Sequence, residues 1–135
     1  MSEPFKFDLV APERLLMSEE VVEVVVPGTE GDFGVLKDHA PFMSTIRPGF
    51  ITVREVSGGE RNIFIRGGFA DTNPNGLTIL AEQAMPIEEL DRGALATEMG
   101  HAREDLSDAK TDEARAAAQR RIDEITDVLT ALDLQ

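Results

Sequence analysis

LTILAEQAMPIEELDRGALATEM, residues 77 to 99, contains the point at which the chain changes its period. Leu77 to Glu82 reads as a short strand, set off upstream by Asn73-Pro74-Asn75-Gly76, residues that favour tight turns. Beyond Pro86, residues Ile87, Leu90, Ala94, Met99, Ala102 and Leu106 fall mostly three or four apart, the spacing that puts apolar side chains on one face of a helix. The fold class expected is therefore α+β, with strands in residues 1–85 and helices in residues 86–135.

Working toward the N-terminus, the strand signals continue. Phe5, Phe7 and Leu9 alternate with Lys6 and Asp8, which is the period of a strand with one buried face. Val21 to Val26 is almost wholly β-branched, broken by Glu23 and stopped by Pro27-Gly28. Phe50 to Val56, Asn62 to Arg66 and Gly68 to Thr72 are further candidates, with Gly58-Gly59 supplying a turn between the first two. Many short strands joined by tight turns predict an antiparallel sandwich or barrel.

Toward the C-terminus, Ala114, Ala118, Ile122, Ile125, Leu129 and Leu132 keep the helical period without a break. Ser107 to Thr111 is too short to be more than a connection, and Thr111 followed by Asp112 and Glu113 predicts an N-cap with acids in the first turn. A short loop makes the two helices an antiparallel hairpin. Such a hairpin cannot enclose an interior, so it is expected to be an appendage that docks on something else.

Composition narrows the partners. A formal charge of −13 over 135 residues repels phosphate backbones and anionic headgroups, and no basic patch offsets it, since Arg115, Arg120 and Arg121 are interleaved with acids. Nucleic-acid binding is therefore not expected. The absence of cysteine excludes disulfides, thiolate nucleophiles and Cys-ligated zinc. The N-terminus lacks the pattern of a signal peptide and no apolar run is long enough to span a bilayer, so a soluble chain without direct membrane insertion is expected.

No stretch of the chain carries a recognisable catalytic or ligand-binding pattern. The run GTEGDFG, Gly28 to Gly34, has three glycines, but no Gly-Lys-Ser/Thr follows, and Glu30 and Asp32 would repel a phosphate; it reads as a tight loop between strands. No internal partner is evident for Asp32, and it is expected to be without one. His39 precedes Ser44 by five residues with no nucleophile elbow around the serine, and reads as a loop histidine. His101 stands in a helix without a second ligand at metal-binding spacing. Glu88, Glu89, Asp91 and Glu98 are explained by solvated helix faces. No catalytic residue, metal ligand or cofactor site is expected, and the chain reads as a non-enzyme.

From Pro27 the chain reads PGTEGDFGVLKDHAPFMSTIRPGF, and from Arg66 it reads RGGFADTNPNGLTILAEQA. Gly28, Gly31 and Gly34, then His39-Ala40-Pro41, Pro48-Gly49, Gly67-Gly68-Phe69 and Leu80-Ala81 together resemble the epsilon subunit of bacterial F-type ATP synthases in order and spacing. The match is specific over the first 85 residues and generic beyond. It implies an N-terminal antiparallel β-sandwich followed by a C-terminal antiparallel two-helix hairpin. The implied role is a non-catalytic rotor part of the central stalk that couples the gamma subunit to the c-ring during proton-driven ATP synthesis, held peripherally at the cytoplasmic face of the cell membrane.

The resemblance also implies site residues. Glu30, Gly31 and Asp32 would face the c-ring, and Ala11, His39 and Ser44 would lie near gamma. An alternative role in the same family is a nucleotide-sensing inhibitor of ATP hydrolysis that works through the hairpin and transiently meets the catalytic alpha/beta head. Its ATP-binding pattern falls here on Leu90-Asp91-Arg92-Gly93-Ala94-Leu95, where Asp91 is kept and the arginine position holds Ala94. Arg92 could substitute only from about 200° around a helix. Residues 112–135 also carry a side-chain charge of −3, which opposes approach to an acidic partner, so at most a weak brake is expected.

Overall fold

A computed structural model describes residues 3–12 and 14–134 as two compact units, divided between Ile87 and Glu88. The first holds nine strands: β1 (Phe5–Ala11), β2 (Arg14–Gly28), β3 (Gly31–Val35), β4 (Phe42–Ile46), β5 (Gly49–Glu55), β6 (Glu60–Ile65), β7 (Gly68–Asn73), β8 (Gly76–Ala81) and β9 (Ala84–Pro86). Six of them coincide with the strands expected from the sequence, most with ends displaced by only one or two residues.

The 15-residue strand β2 organises the unit. Its first half pairs with β1, from Arg14 opposite Ala11 to Val21 opposite Phe5; its second half pairs with β5 on one side and β3 on the other. One strand thus takes part in both layers, and the sheet order β1-β8-β7-β4-β2 returns on itself through the β1–β2 pairing. Inward side chains from both layers make a single apolar core that includes Phe7, Leu9, Val24, Val26, Ile51, Val53, Ile65 and Ile79, each 2% exposed or less. This is the β-sandwich expected.

Three features differ from the strand pattern read in the sequence. β1 pairs with β8 in parallel, so the sandwich is antiparallel everywhere but at that junction. β2 begins at Arg14 rather than Val21, because pairing with β1 imposes strand geometry on a Leu-Leu-Met-Ser-Glu-Glu run that lacks β-branched residues. β3, β4 and β9 were not among the strands expected: β3 is Gly-rich, β9 is three residues long, and β4, Phe-Met-Ser-Thr-Ile, is a short strand-favouring run between loops that its pairing with β7 completes. GTEGDFG is therefore a hairpin whose turn is only Thr29-Glu30, with the rest extended as β3.

The second unit is the helical hairpin, α1 (Arg92–Asp108) and α2 (Asp112–Asp133). Helix α1 starts five residues later than the apolar spacing predicts. Ile87–Glu89 forms a short 3-10 turn, and Asp91 then caps the helix by accepting from the amides of Gly93 (2.8 Å) and Ala94 (3.2 Å). The capping carboxylate decides the start more strongly than Ile87 and Leu90 do. Thr111 caps α2 as expected, its hydroxyl accepting from the Ala114 amide at 3.0 Å. Ion pairs Arg121–Glu98 and Arg92–Asp133 bridge the two antiparallel helices.

Candidate functional site

The β2–β3 turn is braced from the side by β4 and the residue after it. The Thr29 amide donates to the Thr45 carbonyl at 3.1 Å, the two threonine hydroxyls meet at 2.7 Å, and the Arg47 amide donates to the Pro27 carbonyl at 3.0 Å. Gly31 holds a φ of 131°, which an L side chain rarely adopts, and so lets the chain reverse into β3. Arg47 then reaches across the turn. Its guanidinium donates to the Gly28 carbonyl at 2.9 Å and pairs with the Asp32 carboxylate at 2.6 Å. The expectation that Asp32 lacks an internal partner is thus corrected. Local sequence could not show the partner, because Arg47 lies 15 residues away and reaches the turn only through the β2–β4 junction.

A second surface lies on the outer face of the layer built by β1, β8, β7 and the start of β2. Leu15 stands opposite Val10, Val10 opposite Leu80, and Leu80 opposite Phe69, so four strands present one apolar row. Leu15, Leu80 and Phe69 are 59%, 50% and 49% exposed. Covering half-exposed side chains of this kind is worth about 1 kcal/mol each, so the row is a natural place for another protein to dock. It borders a shallow hollow lined also by Ala11 and Pro12. The row was not legible in the sequence, since its members come from four separated segments, one of them paired in parallel.

The three residues expected near gamma are not brought to one face. Ala11 borders the apolar row. Ser44 is half-buried opposite inward-facing Ala70, and its hydroxyl donates to the Thr45 carbonyl at 2.9 Å. His39 lies in the loop before β4, after Asp38 with its φ of 62°. Its Nδ1 is 2.8 Å from the Ala40 carbonyl oxygen and 3.3 Å from the hydroxyl of Thr72. Thr72, 1% exposed, also donates to the Ala40 and Phe42 carbonyls at 3.0 and 3.1 Å, so this group ties the loop to the sandwich. Histidine and serine are not paired as base and nucleophile.

In the hairpin, the two residues of the nucleotide pattern are engaged. Asp91 is the α1 cap, and Arg92 pairs with Asp133 at 2.8 Å. Among the described residues, no group of three or more His, Asp or Glu side chains could hold a metal ion, and no helix is long and apolar enough to cross a membrane.

Comparison with known proteins agrees with this architecture. Residues 4–87 match the family model for the ATP synthase Delta/Epsilon chain, beta-sandwich domain. The chain is 50% identical over 126 residues to the ATP synthase epsilon chain of Mesorhizobium japonicum, with 93% of each chain covered. It is 53% identical over 118 residues to that of Maricaulis maris, covering 87% of this chain and 88% of the relative. Among solved structures, it superposes with a TM-score of 0.75 and 25% identity on a chain of the Euglena gracilis mitochondrial ATP synthase OSCP/F1/c-ring assembly, covering 96% of this chain and 81% of that one. A chain of the Tetrahymena thermophila mitochondrial ATP synthase central stalk and c-ring shares the fold with a TM-score of 0.55 and 14% identity, over 94% of this chain and 97% of that one. A sandwich followed by a helical hairpin, matched along nearly its whole length by epsilon chains at about half identity, belongs to the ATP synthase epsilon chain family.

Proposed function

We propose that this chain is a non-catalytic rotor component that couples the gamma subunit to the c-ring, using two surfaces of the sandwich. The apolar row Leu15–Val10–Leu80–Phe69 is the observation that carries the proposal, because it sets four apolar side chains from four paired strands side by side, three of them about half exposed. It suits gamma, a permanent partner whose own apolar surface would cover it. The braced turn Thr29–Asp32 suits the c-ring: a backbone held from several sides transmits force with little loss in its own deformation. Localisation follows from the partners, and the chain is held at the membrane by the complex, on its cytoplasmic side.

Nucleotide sensing by the hairpin gains no support from this geometry, because Asp91 is committed to capping and Arg92 to Asp133. The test of the rotor reading is Leu80→Asp. Placed at the centre of the row, the new carboxylate stays solvated in the free chain but is buried without a partner in the complex. Folding is expected to change by about 0.5 kcal/mol or less, while co-purification with gamma is lost. Undiminished gamma binding by this variant would remove the row from the interface.

A further inference from the structure

We propose that Asn75 is a modification site, which exchanges its side-chain amide with water to become aspartate or isoaspartate, and that the carboxamide of Asn73 restrains the reaction. The proposal is independent of the function assigned to the apolar row and to the β2–β3 turn.

The chain has three asparagines, and the residue that follows each one separates them. The reaction uses the backbone nitrogen of the next residue as nucleophile, so Asn73, which precedes Pro74, has no N–H to supply it. Asn62 precedes β-branched Ile63, lies inside the β5–β6 ladder, and its Oδ1 accepts from the Thr52 hydroxyl at 2.9 Å. Asn75 is exposed, stands in the two-residue turn between β7 and β8, and precedes Gly76, which has no side chain to hinder the approach. The fold itself demands that glycine. Strand β1 runs parallel beside β8, and a Cβ at residue 76 would lie 2.3 Å from the Lys6 carbonyl oxygen. A hindering side chain cannot be placed there, so the labile Asn-Gly pair is tied to the parallel junction.

In the step itself, the Gly76 nitrogen gives up its proton to solvent base and attacks Cγ of Asn75. The new C–N bond closes a cyclic imide, and the side-chain nitrogen leaves as ammonia. Water then opens either carbonyl of the ring, giving aspartate or isoaspartate, with no oxidant or reductant needed. The folded turn opposes the first event. Oδ1 of Asn73 accepts from the Asn75 amide at 2.8 Å and from the Gly76 amide at 3.1 Å, so the attacking nitrogen is held in a hydrogen bond and its proton is retained. Reaction therefore requires the turn to open. Isoaspartate routes the main chain through the former side chain. It inserts a methylene between Pro74 and Gly76, at the point where β8 meets both Asn73 of β7 and Lys6 of β1.

The test is prolonged incubation of the full-length chain at mildly alkaline pH, with peptide mass spectrometry reading the replacement of amide by carboxyl at each asparagine. Wild type, Asn73→Ala and Asn73→Asp are compared, with a synthetic peptide of residues 70–80 as the unrestrained reference. Conversion is expected at Asn75 and not at Asn62 or Asn73. It should be slower in the wild type than in the peptide, and faster by roughly fivefold in Asn73→Ala, the worth of one ordinary hydrogen bond. Asn73→Asp keeps an acceptor for the two amides and should stay close to the wild type. No conversion at Asn75 in either the wild type or Asn73→Ala, over a time in which the peptide converts, overturns the site. Equal rates in the wild type and Asn73→Ala overturn the restraint by Asn73. Amide exchange of β7 and β8 is followed alongside. Should Asn73→Ala loosen both strands throughout, Asn73→Asp decides: a rate at or below that of the wild type supports the restraint, and a raised one overturns it.

Discussion

Gly68 holds a φ of 141°, and a Cβ built there would lie 1.9 Å from the carbonyl oxygen of Leu80, its near neighbour across the β7–β8 pair. No side chain can move that backbone oxygen aside without breaking the ladder. Gly68→Ala is expected to cost roughly 1–3 kcal/mol and several degrees of Tm, with local disturbance of the apolar row at Phe69 and Leu80. An unchanged Tm would show that the strand start relaxes freely. Lys37 and Glu3 make a weaker but pH-readable link at 2.8 Å. Their hydrogen bond, then their Coulomb attraction, lowers the Glu3 pKa and raises that of Lys37. The depressed carboxyl contributes stability that is present above the usual carboxylate range and lost as pH falls through its folded value. The raised ammonium contributes below the usual lysine range and loses it as pH rises through its folded value. The small Tm difference between wild type and Lys37→Met should therefore be constant around neutrality and vanish in acid. A gap that persists in acid would mean that Lys37 acts through packing.

Helix α1 depends on its cap because its apolar side is thin. Only Met99 and Ala102 are buried along its length, and Gly93 and Gly100 lie within it. Two glycines in a helix of 17 residues each weaken it by roughly 1 kcal/mol relative to alanine. The Asp91 cap offsets a similar amount. Asp91→Ala should cost about 1 kcal/mol of hairpin stability, visible as earlier loss of helical signal on heating, and the loss should be the same with and without millimolar ATP. A loss that appears only with ATP present would reassign Asp91 from capping to nucleotide binding. Helix α2 is better provided, with Ala118, Ile125, Val128 and Ala131 buried on one side. The spacing of the apolar residues predicted both helices, but their ends were decided by capping carboxylates and hydroxyls. The period alone misplaced the start of α1.

For the molecule as a whole, the division between Ile87 and Glu88 separates two units with different means of stability. The sandwich has a closed core of Phe, Val, Leu and Ile side chains drawn from both of its layers. The hairpin has two helices of 17 and 22 residues that bury only a few apolar side chains each, and helical stability in proteins comes mostly from such packing. Residues 1–87 alone are expected to fold with their β signature intact and, on the proposed function, to bind gamma, because every member of the apolar row lies within them. A fragment that folds and fails to bind gamma would place part of that interface in the hairpin. A fragment that does not fold would show that the first unit's stability depends on residues beyond Ile87.

Strand and helix periods, the turns at Gly58-Gly59 and Asn73 to Gly76, and the Thr111 cap were all legible in the chain, because each depends on residues within about four positions of one another. Asn73 is one case: its side chain accepts from the amides of Asn75 at 2.8 Å and Gly76 at 3.1 Å, a turn closed within Asn-Pro-Asn-Gly itself. The motifs of the family were legible in the same way, as short words in a fixed order. Other features had no local signal. β3 is a strand because β2 supplies its hydrogen bonds, not because Gly31 or Gly34 favours extension. The parallel β1–β8 pairing, the row from Leu15 to Phe69 and the pairing of Arg47 with Asp32 join residues that are far apart in sequence. These were settled when the two layers closed on one core, since burying the inward faces sets the register of every strand, and the register in turn fixes which outward side chains become neighbours.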